Sequence, residues 1–190
     1  IVKHIGQRKF NGRRKIIFCH YRGEIDLLCG LLKNQGISVG TIDGRVSKRQ
    51  RKNFLEYSVT KRQFTSVCKK WQENEFVFER LKGFLGPDVL VVQIQTACEG
   101  LNLQHFQEVY FTSPHWNPAV EDQSIARAHR IGQDEKVNVF RFVMEDFKTC
   151  SCGESNCKKE AQITIDSYCR MVQEKKRELC DIIKPESPSS

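Results

Sequence analysis

Apolar and polar positions divide the chain into short apolar runs separated by longer amphipathic stretches. Lys15–His20 (KIIFCH) is rich in isoleucine and reads as a strand buried on both faces. Ile25, Leu27, Leu28, Leu31 and Leu32 then recur at helical spacing, and Gly36 punctuates the end of that helix. Further strands are expected over Ile37–Asp43, Asp88–Ile94, Glu108–Ser113 and Lys136–Val143, with helical stretches between them. Alternation of this kind predicts a parallel sheet with helices on both faces. Ligands of such sheets sit beyond the carboxyl ends of the strands.

Two segments interrupt the pattern. Residues 54–84 are basic and aromatic, with Phe64, Trp71, Phe76 and Phe78 at spacings that predict one or two inserted helices. The aromatics there read as core and the basic residues as an outer face. Residues 148–162 form a polar loop carrying Cys150, Cys152 and Cys157. Beyond it, Ile165, Tyr168, Cys169, Val172, Leu179 and Ile183 punctuate a charged helix over 163–184, stopped by Pro185. Residues 185–190 read as a frayed tail. The expected organisation is a lobe over 1–147 containing the insertion, then the cysteine loop, and a C-terminal helix packed on the lobe.

With 190 residues, the chain is long enough for one domain with an appendage. Its 39% hydrophobic and 28% charged residues read as soluble and globular. No apolar stretch approaches the ~20 residues of a membrane span, so no membrane partner is expected. The start, IVKHIGQRKF, lacks the order of a signal peptide and lacks Met, as expected of a piece cut from a longer chain.

Charge changes the picture more. The formal net charge is +8 and the pI about 9.1, which suits a polyanion such as nucleic acid. Arg45, Lys48, Arg49, Arg51, Lys52, Lys61, Arg62, Lys69 and Lys70 crowd one region, with Glu56 almost alone against them. Clustering favours a phosphate-backbone partner. Nine cysteines, an odd count without a secretion signal, point to reduced thiols inside a cell. Cys19, Cys29, Cys68 and Cys98 lie in apolar or helical contexts and read as small buried residues. Cys150, Cys152 and Cys157 are a weak zinc candidate, since structural zinc wants four ligands and the usual C-x₂-C pairing is absent. Cys169 would have to complete the set, and an exposed reduced loop is the favoured reading.

The candidate chemistry lies in Trp116–Gln133, WNPAVEDQSIARAHRIGQ. Gln123, Arg127 and Arg130 follow the pattern Q-x-x-x-R-x-x-R, a spacing that sets residues on one helix face. Two planar, permanently charged forks beside an amide suit a triphosphate undergoing cleavage.

Taken in order, KIIFCHYRGEIDLL, TIDGRVSKRQR, CEGLNLQ, SPHWNPAVEDQSIARAHRIGQ, VNVFRFV and TIDSYCRMVQEKKREL resemble the Swi/Snf family of helicase-like ATPases. They look like motifs four, five and six of its second RecA-like lobe and cover most of the chain. The combination also resembles versions found in large DNA viruses. The resemblance implies a three-layer α/β/α RecA-like lobe. It implies that Arg127 and Arg130 reach toward the γ-phosphate of ATP, with Gln123 holding that network. Gly100 and Asn102 would meet the nucleotide. Gln93, Trp116, Arg49 and Arg51 would meet nucleic acid. The implied partners are duplex DNA, gripped without sequence preference, and the protein's own first RecA-like lobe. The implied compartment is intracellular and reducing, the nucleus or a viral replication site. Nucleosomes, polymerases, repair intermediates and viral genomes all stay open as substrates.

That first lobe would carry the phosphate-binding loop G-x-x-x-x-G-K-[ST] and most of the contacts to ATP and Mg²⁺. No glycine in this chain is followed by lysine. The chain therefore reads as half an active site, inactive alone. It also departs from the family: Gln93–Glu99 reads QIQTACE where the family has Ser-x-x-Ala-Gly-Gly, so Gln93 replaces the serine and Ala97 and Cys98 replace glycines. His20 stands where the family usually has Gln. These departures motivate an alternative, a RecA-like module that binds nucleic acid or protein without catalysis. A zinc-stapled interaction domain is a third reading.

Overall fold

The computed structural model describes residues 1–9, 11–56, 87–97, 100–145 and 163–183. Five strands form one sheet: β1 (Lys15–Cys19), β2 (Val39–Ile42), β3 (Val89–Gln93), β4 (Glu108–Phe111) and β5 (Asn138–Arg141). The spatial order is β2-β3-β1-β4-β5, and every pairing is parallel. Each expected strand is present, trimmed by at most two residues at either end. At β1 the trimming has a clear cause. The His20 N–H leaves the ladder and donates to Glu24 Oε2 at 3.0 Å.

Six helices surround the sheet among the described residues: α1 (Val2–Gln7), α2 (Arg22–Asn34), α3 (Lys48–Glu56), α4 (Ile94–Ala97), α5 (Pro118–Ala128) and α6 (Ile165–Ile183). Strand side chains alternate between two cores. Ile16, Phe18, Leu90, Val92, Val109 and Phe111 face one core, to which α3 adds Phe54 and Leu55 and α5 adds Val120, Ile125 and Ala128. Ile17, Cys19, Val89, Val91 and Tyr110 face the other, covered by Ile5 of α1 and Ile25, Leu28 and Leu32 of α2. This is the three-layer α/β/α arrangement of a RecA-like lobe.

Local chemistry sets the helix ends. At the end of α2, Gly36 N–H bonds Lys33 O at 2.8 Å and Ile37 N–H bonds Leu32 O at 3.2 Å. Gly36 has φ +66°, which glycine adopts without a Cβ penalty, and Leu32 and Ile37 close the motif from the core. Ser47 and Gln50 cap α3 reciprocally: each side chain accepts from the other's backbone N–H at 3.3 Å. The helix therefore begins at Lys48 and takes in Phe54, where the inserted segment was expected to start. The rest of that segment and the loop holding Cys150, Cys152 and Cys157 lie outside the described residues.

At the amino end of the sheet, fully buried Glu108 accepts from Asn11 Nδ2 at 2.7 Å, Tyr110 OH at 2.6 Å and Arg8 Nε at 3.1 Å. Lys15 Nζ lies 3.7 Å from Oε2, the oxygen that Tyr110 bonds. Burial pushes this carboxyl up, but the bonds from Arg8, Tyr110 and Asn11 and the Lys15 charge outweigh it and hold it below the usual range. The cluster fastens the N-terminal segment at the end of the sheet away from His20 and Gln93.

Candidate functional site

The chain leaves β1 toward one edge of the sheet and β4 toward the other. The carboxyl ends of these two strands therefore flank the crevice where ligands of open α/β sheets bind. His20 follows β1 and His115 follows β4, and their rings stack with centroids 5.4 Å apart and planes 13° apart. His20 Nε2 lies 3.2 Å from Ser113 O, so that nitrogen carries a donated proton. Gln93, at the end of β3, points its amide at His20 O and Gln95 Oε1, each at 3.5 Å.

From β4 the chain runs through Trp116 into α5. Asn117 is the N-cap, its Oδ1 accepting from Ala119 N–H at 3.1 Å, with Pro118 in the first turn. Both choices suit a helix start, since the side chain satisfies an orphan N–H and proline lacks one. Trp116 is 49% exposed, meets Tyr168 of α6 edge-on at 5.8 Å, and its carbonyl accepts from Lys176 Nζ at 2.9 Å.

Gln123 and Arg127 share a face of α5, one turn apart; Gln123 is exposed and Arg127 half-buried. Arg130 is not on that helix. The helix ends at Ala128, with His129 as its cap, and exposed Arg130 stands in the turn that follows. The array is a helix end plus a turn rather than one helical face. Among the described residues, neither guanidinium is committed to a hydrogen bond or ion pair.

The turn is nevertheless fixed. Gln133 N–H bonds Arg130 O at 2.9 Å, and Gln104 Nε2 donates to Ile131 O at 2.5 Å. Gln133 Nε2 donates back to Gln104 O at 2.6 Å. Leu103 N–H donates to Arg127 O at 3.2 Å. The Gly100–Phe106 stretch is thus bonded to the arginine turn at several points. Within it, Gly100 has φ +82° and nothing within 4 Å of where a Cβ would stand. Its need for glycine is conformational, and the space beside it is open. Exposed Asn102 turns its Oδ1 toward Gln104 N–H at 3.3 Å.

Arg49 and Arg51 part ways. Arg49 is exposed in the first turn of α3. Arg51 turns inward, donating from Nε to Val46 O at 3.2 Å and from NH2 to Asp43 O at 3.1 Å. The same turn is braced by Arg45, bonded to Asp26 at 2.8 Å and Asp43 at 2.6 Å. Arg45 holds the carboxyls of Asp26 and Asp43 below the usual range.

The sequence did not single out Glu121. It is fully buried on the inner face of α5, with Ser124 and Ala128. Its Oε1 accepts from His115 N–H and from Gln173 Nε2, each at 2.8 Å, and its Oε2 from Arg141 Nε at 2.9 Å. Burial pushes this carboxyl up, but the bonds from His115, Arg141 and Gln173 outweigh it and hold it low. A glutamate at the spacing of the buried helix positions was the available signal. Cys169, the residue needed to complete a zinc set, is 2% exposed in α6, and burial raises its thiol, disfavouring thiolate.

Fold and geometry define a RecA-like lobe, with Arg45, Arg49 and Arg51 beyond the carboxyl end of β2 and Arg127 and Arg130 at the far end of α5. Comparison with known proteins places it further. The family described as "Helicase conserved C-terminal domain" matches residues 1–132. The Arabidopsis thaliana "DNA repair protein RAD5B" is 30% identical over 137 residues, 72% of this chain and 9% of the relative. The Eremothecium gossypii "DNA repair protein RAD5" is 25% identical over 186 residues, 96% of this chain and 14% of the relative. The solved C-terminal part of the Fun30 ATPase domain superposes with TM-score 0.55 at 16% identity, covering 95% of this chain and 52% of that one. The chain therefore belongs to the helicase conserved C-terminal domain family, as a Swi/Snf-type lobe. It spans about a tenth of the curated relatives' length. These relatives are plant and fungal proteins and lend no support to a viral compartment. No described helix is long and apolar enough to cross a membrane.

Proposed function

We propose that this lobe supplies the arginine side of an ATP site shared with a preceding RecA-like lobe. Together the two lobes form a DNA-stimulated ATPase that moves along duplex DNA. The observation that carries the reading is the uncommitted pair Arg127 and Arg130, held by a fixed turn at the end of α5. Two guanidiniums with no partner among the described residues fit a polyphosphate, because each offers a planar fork of donors. An arginine brought to the transferring phosphoryl group stabilises its transition-state charge, worth about 10³–10⁵ in rate. Gln123, one turn away from Arg127, holds the network, and Gly100 and Asn102 face the nucleotide.

The Mg²⁺ of such a site neutralises phosphate charge. Its ligands are assigned to the first lobe, which would carry the phosphate-binding loop G-x-x-x-x-G-K-[ST]. The fragment alone is accordingly inactive. DNA binding falls to Arg49, Trp116 and Gln93, with Arg51 in a bracing role. Contacts of this kind read backbone charge rather than sequence. A reducing intracellular compartment, the nucleus among them, suits both the thiols and the DNA.

The test joins the lobe to its phosphate-binding partner lobe. Arg130→Ala is expected to abolish DNA-stimulated hydrolysis while leaving salt-sensitive DNA binding in place. Hydrolysis unaffected by the substitution would overturn the reading. An intact wild-type protein that binds DNA but never hydrolyses ATP would make the lobe a non-catalytic module, with the departures from the family sequence at Ala97 and Cys98 as the first suspects.

A further inference from the structure

Glu121 lies where four segments meet. His115 belongs to the loop before α5, Glu121 to α5 itself, Arg141 to β5 and Gln173 to α6. The Gln173 amide also donates to His115 O at 2.5 Å, so one side chain of α6 holds both the carboxylate and the loop. Around this centre α6 adds Lys176 on Trp116 O at 2.9 Å and Arg177 against Asp122 at 3.4 Å. A buried carboxylate is costly unless every lone pair is satisfied, and an apolar residue would fill the same space at less expense. The proposed ATP chemistry does not use Glu121, which faces inward from the arginines.

We infer that Glu121 is the positioning residue of the arginine array, and that Gln173 is the contact through which the C-terminal helix sets it. The inference rests on the function proposed above. Its physical basis is leverage. Side-chain ends lie about 5–6 Å from a helix axis, so a rotation of α5 by about 10° moves the Arg127 fork by about 1 Å. A misplacement of that size costs about 10²-fold in rate. Apolar packing of Val120, Ile125 and Ala128 is non-directional and tolerates such a rotation. Three bonds to one carboxylate, from a loop, a strand and a second helix, do not.

The test is steady-state hydrolysis by the two-lobed protein with saturating duplex DNA, comparing Glu121→Gln, Gln173→Ala and Gln173→Glu. Each single variant is expected to lower kcat about tenfold or more while KM for ATP shifts less than about twofold. Gln173→Ala breaks the bonds to Glu121 and His115 O and is expected to lower the unfolding midpoint modestly while the lobe stays folded, so kcat is read well below that midpoint. Combining Glu121→Gln with Gln173→Glu restores a donor–acceptor pair between the two side chains, and kcat is expected to rise above that of Gln173→Glu alone. Wild-type kcat in Gln173→Ala would overturn the inference. So would a loss of kcat that tracks a lowered unfolding midpoint with no recovery in the exchanged pair. Arg130→Ala is the control: hydrolysis insensitive to it removes the underlying function as well, whereas hydrolysis lost in it but unchanged in the Glu121 and Gln173 variants removes only this inference.

Discussion

Leu103 and Arg127 are joined through their backbones, the Leu103 N–H donating to the Arg127 carbonyl across 3.2 Å. The bond ties the stretch after Gly100 to the last turn of α5, so the loop and the arginine helix move as one piece. Gln104 and Gln133 extend the junction to the turn that carries Arg130.

That junction is testable at Gln133, whose amide donates to Gln104 O and whose Oε1 accepts from Glu135 N–H at 3.1 Å. Gln133→Ala is expected to cost about 1 kcal/mol of stability. It should also lower DNA-stimulated turnover, because the Arg130 turn loses its anchor. Chemical denaturation and a hydrolysis assay on the same preparation check both parts.

Arg49 and Arg51 should respond in opposite ways. Arg49→Ala is expected to leave stability unchanged, weaken DNA binding and lower the salt slope by about 1. Arg51→Ala removes two bonds to backbone carbonyls and is expected to cost about 1–2 kcal/mol of stability. Binding titrations at several salt concentrations, set beside unfolding curves, separate the two.

Asn117→Ala removes the N-cap of α5 and is expected to cost about 1 kcal/mol, whereas Asn117→Asp is expected to be nearly neutral. Equal losses in the two variants, measured by denaturant unfolding, would mean that the cap is not what Asn117 contributes.

Glu108 predicts an acid limit. Its folded-state carboxyl is held below the ordinary value, so its ionised form binds fewer protons folded than unfolded. The stability this contributes is fully present above the unfolded carboxylate value of about 4.3 and is lost as pH falls through the lower, folded one. Glu108→Gln leaves Arg8 and Lys15 without their charge partner and is expected to cost about 3 kcal/mol at neutral pH. Its unfolding midpoint should then fall less steeply on acidification than that of the wild type.

The sheet was legible because its strands are apolar runs, and all five fall where those runs stand. The helix over Ile165–Ile183 was legible from its apolar period. The start of α3 was written in the sequence as Ser47-x-x-Gln50, but lysine and arginine on both sides drew attention to charge instead. Helix α1 is one and a half turns with a single buried residue, Ile5, too short for periodicity to reveal. Arg130 fits the helical spacing of Gln123 and Arg127, yet the helix ends at Ala128 and Arg130 opens the turn that Gly132 and the Gln104 clamp fix. Arg51 looked like its neighbour Arg49, because only folding shows which guanidinium reaches the carbonyls of its own turn. Two of the three partners of Glu121 lie 20 and 52 residues away, and no local pattern predicts that Arg141 and Gln173 converge on it.

The central claim is that Arg127 and Arg130 act on ATP bound mainly by another lobe. The most direct measurement is ATP hydrolysis by the two-lobed protein, with and without duplex DNA, comparing the wild type with Arg127→Ala and Arg130→Ala at saturating ATP. DNA-stimulated turnover in the wild type, lost by about 10³-fold in the arginine variants with DNA affinity retained, is the predicted result. Wild-type turnover in both variants would contradict it.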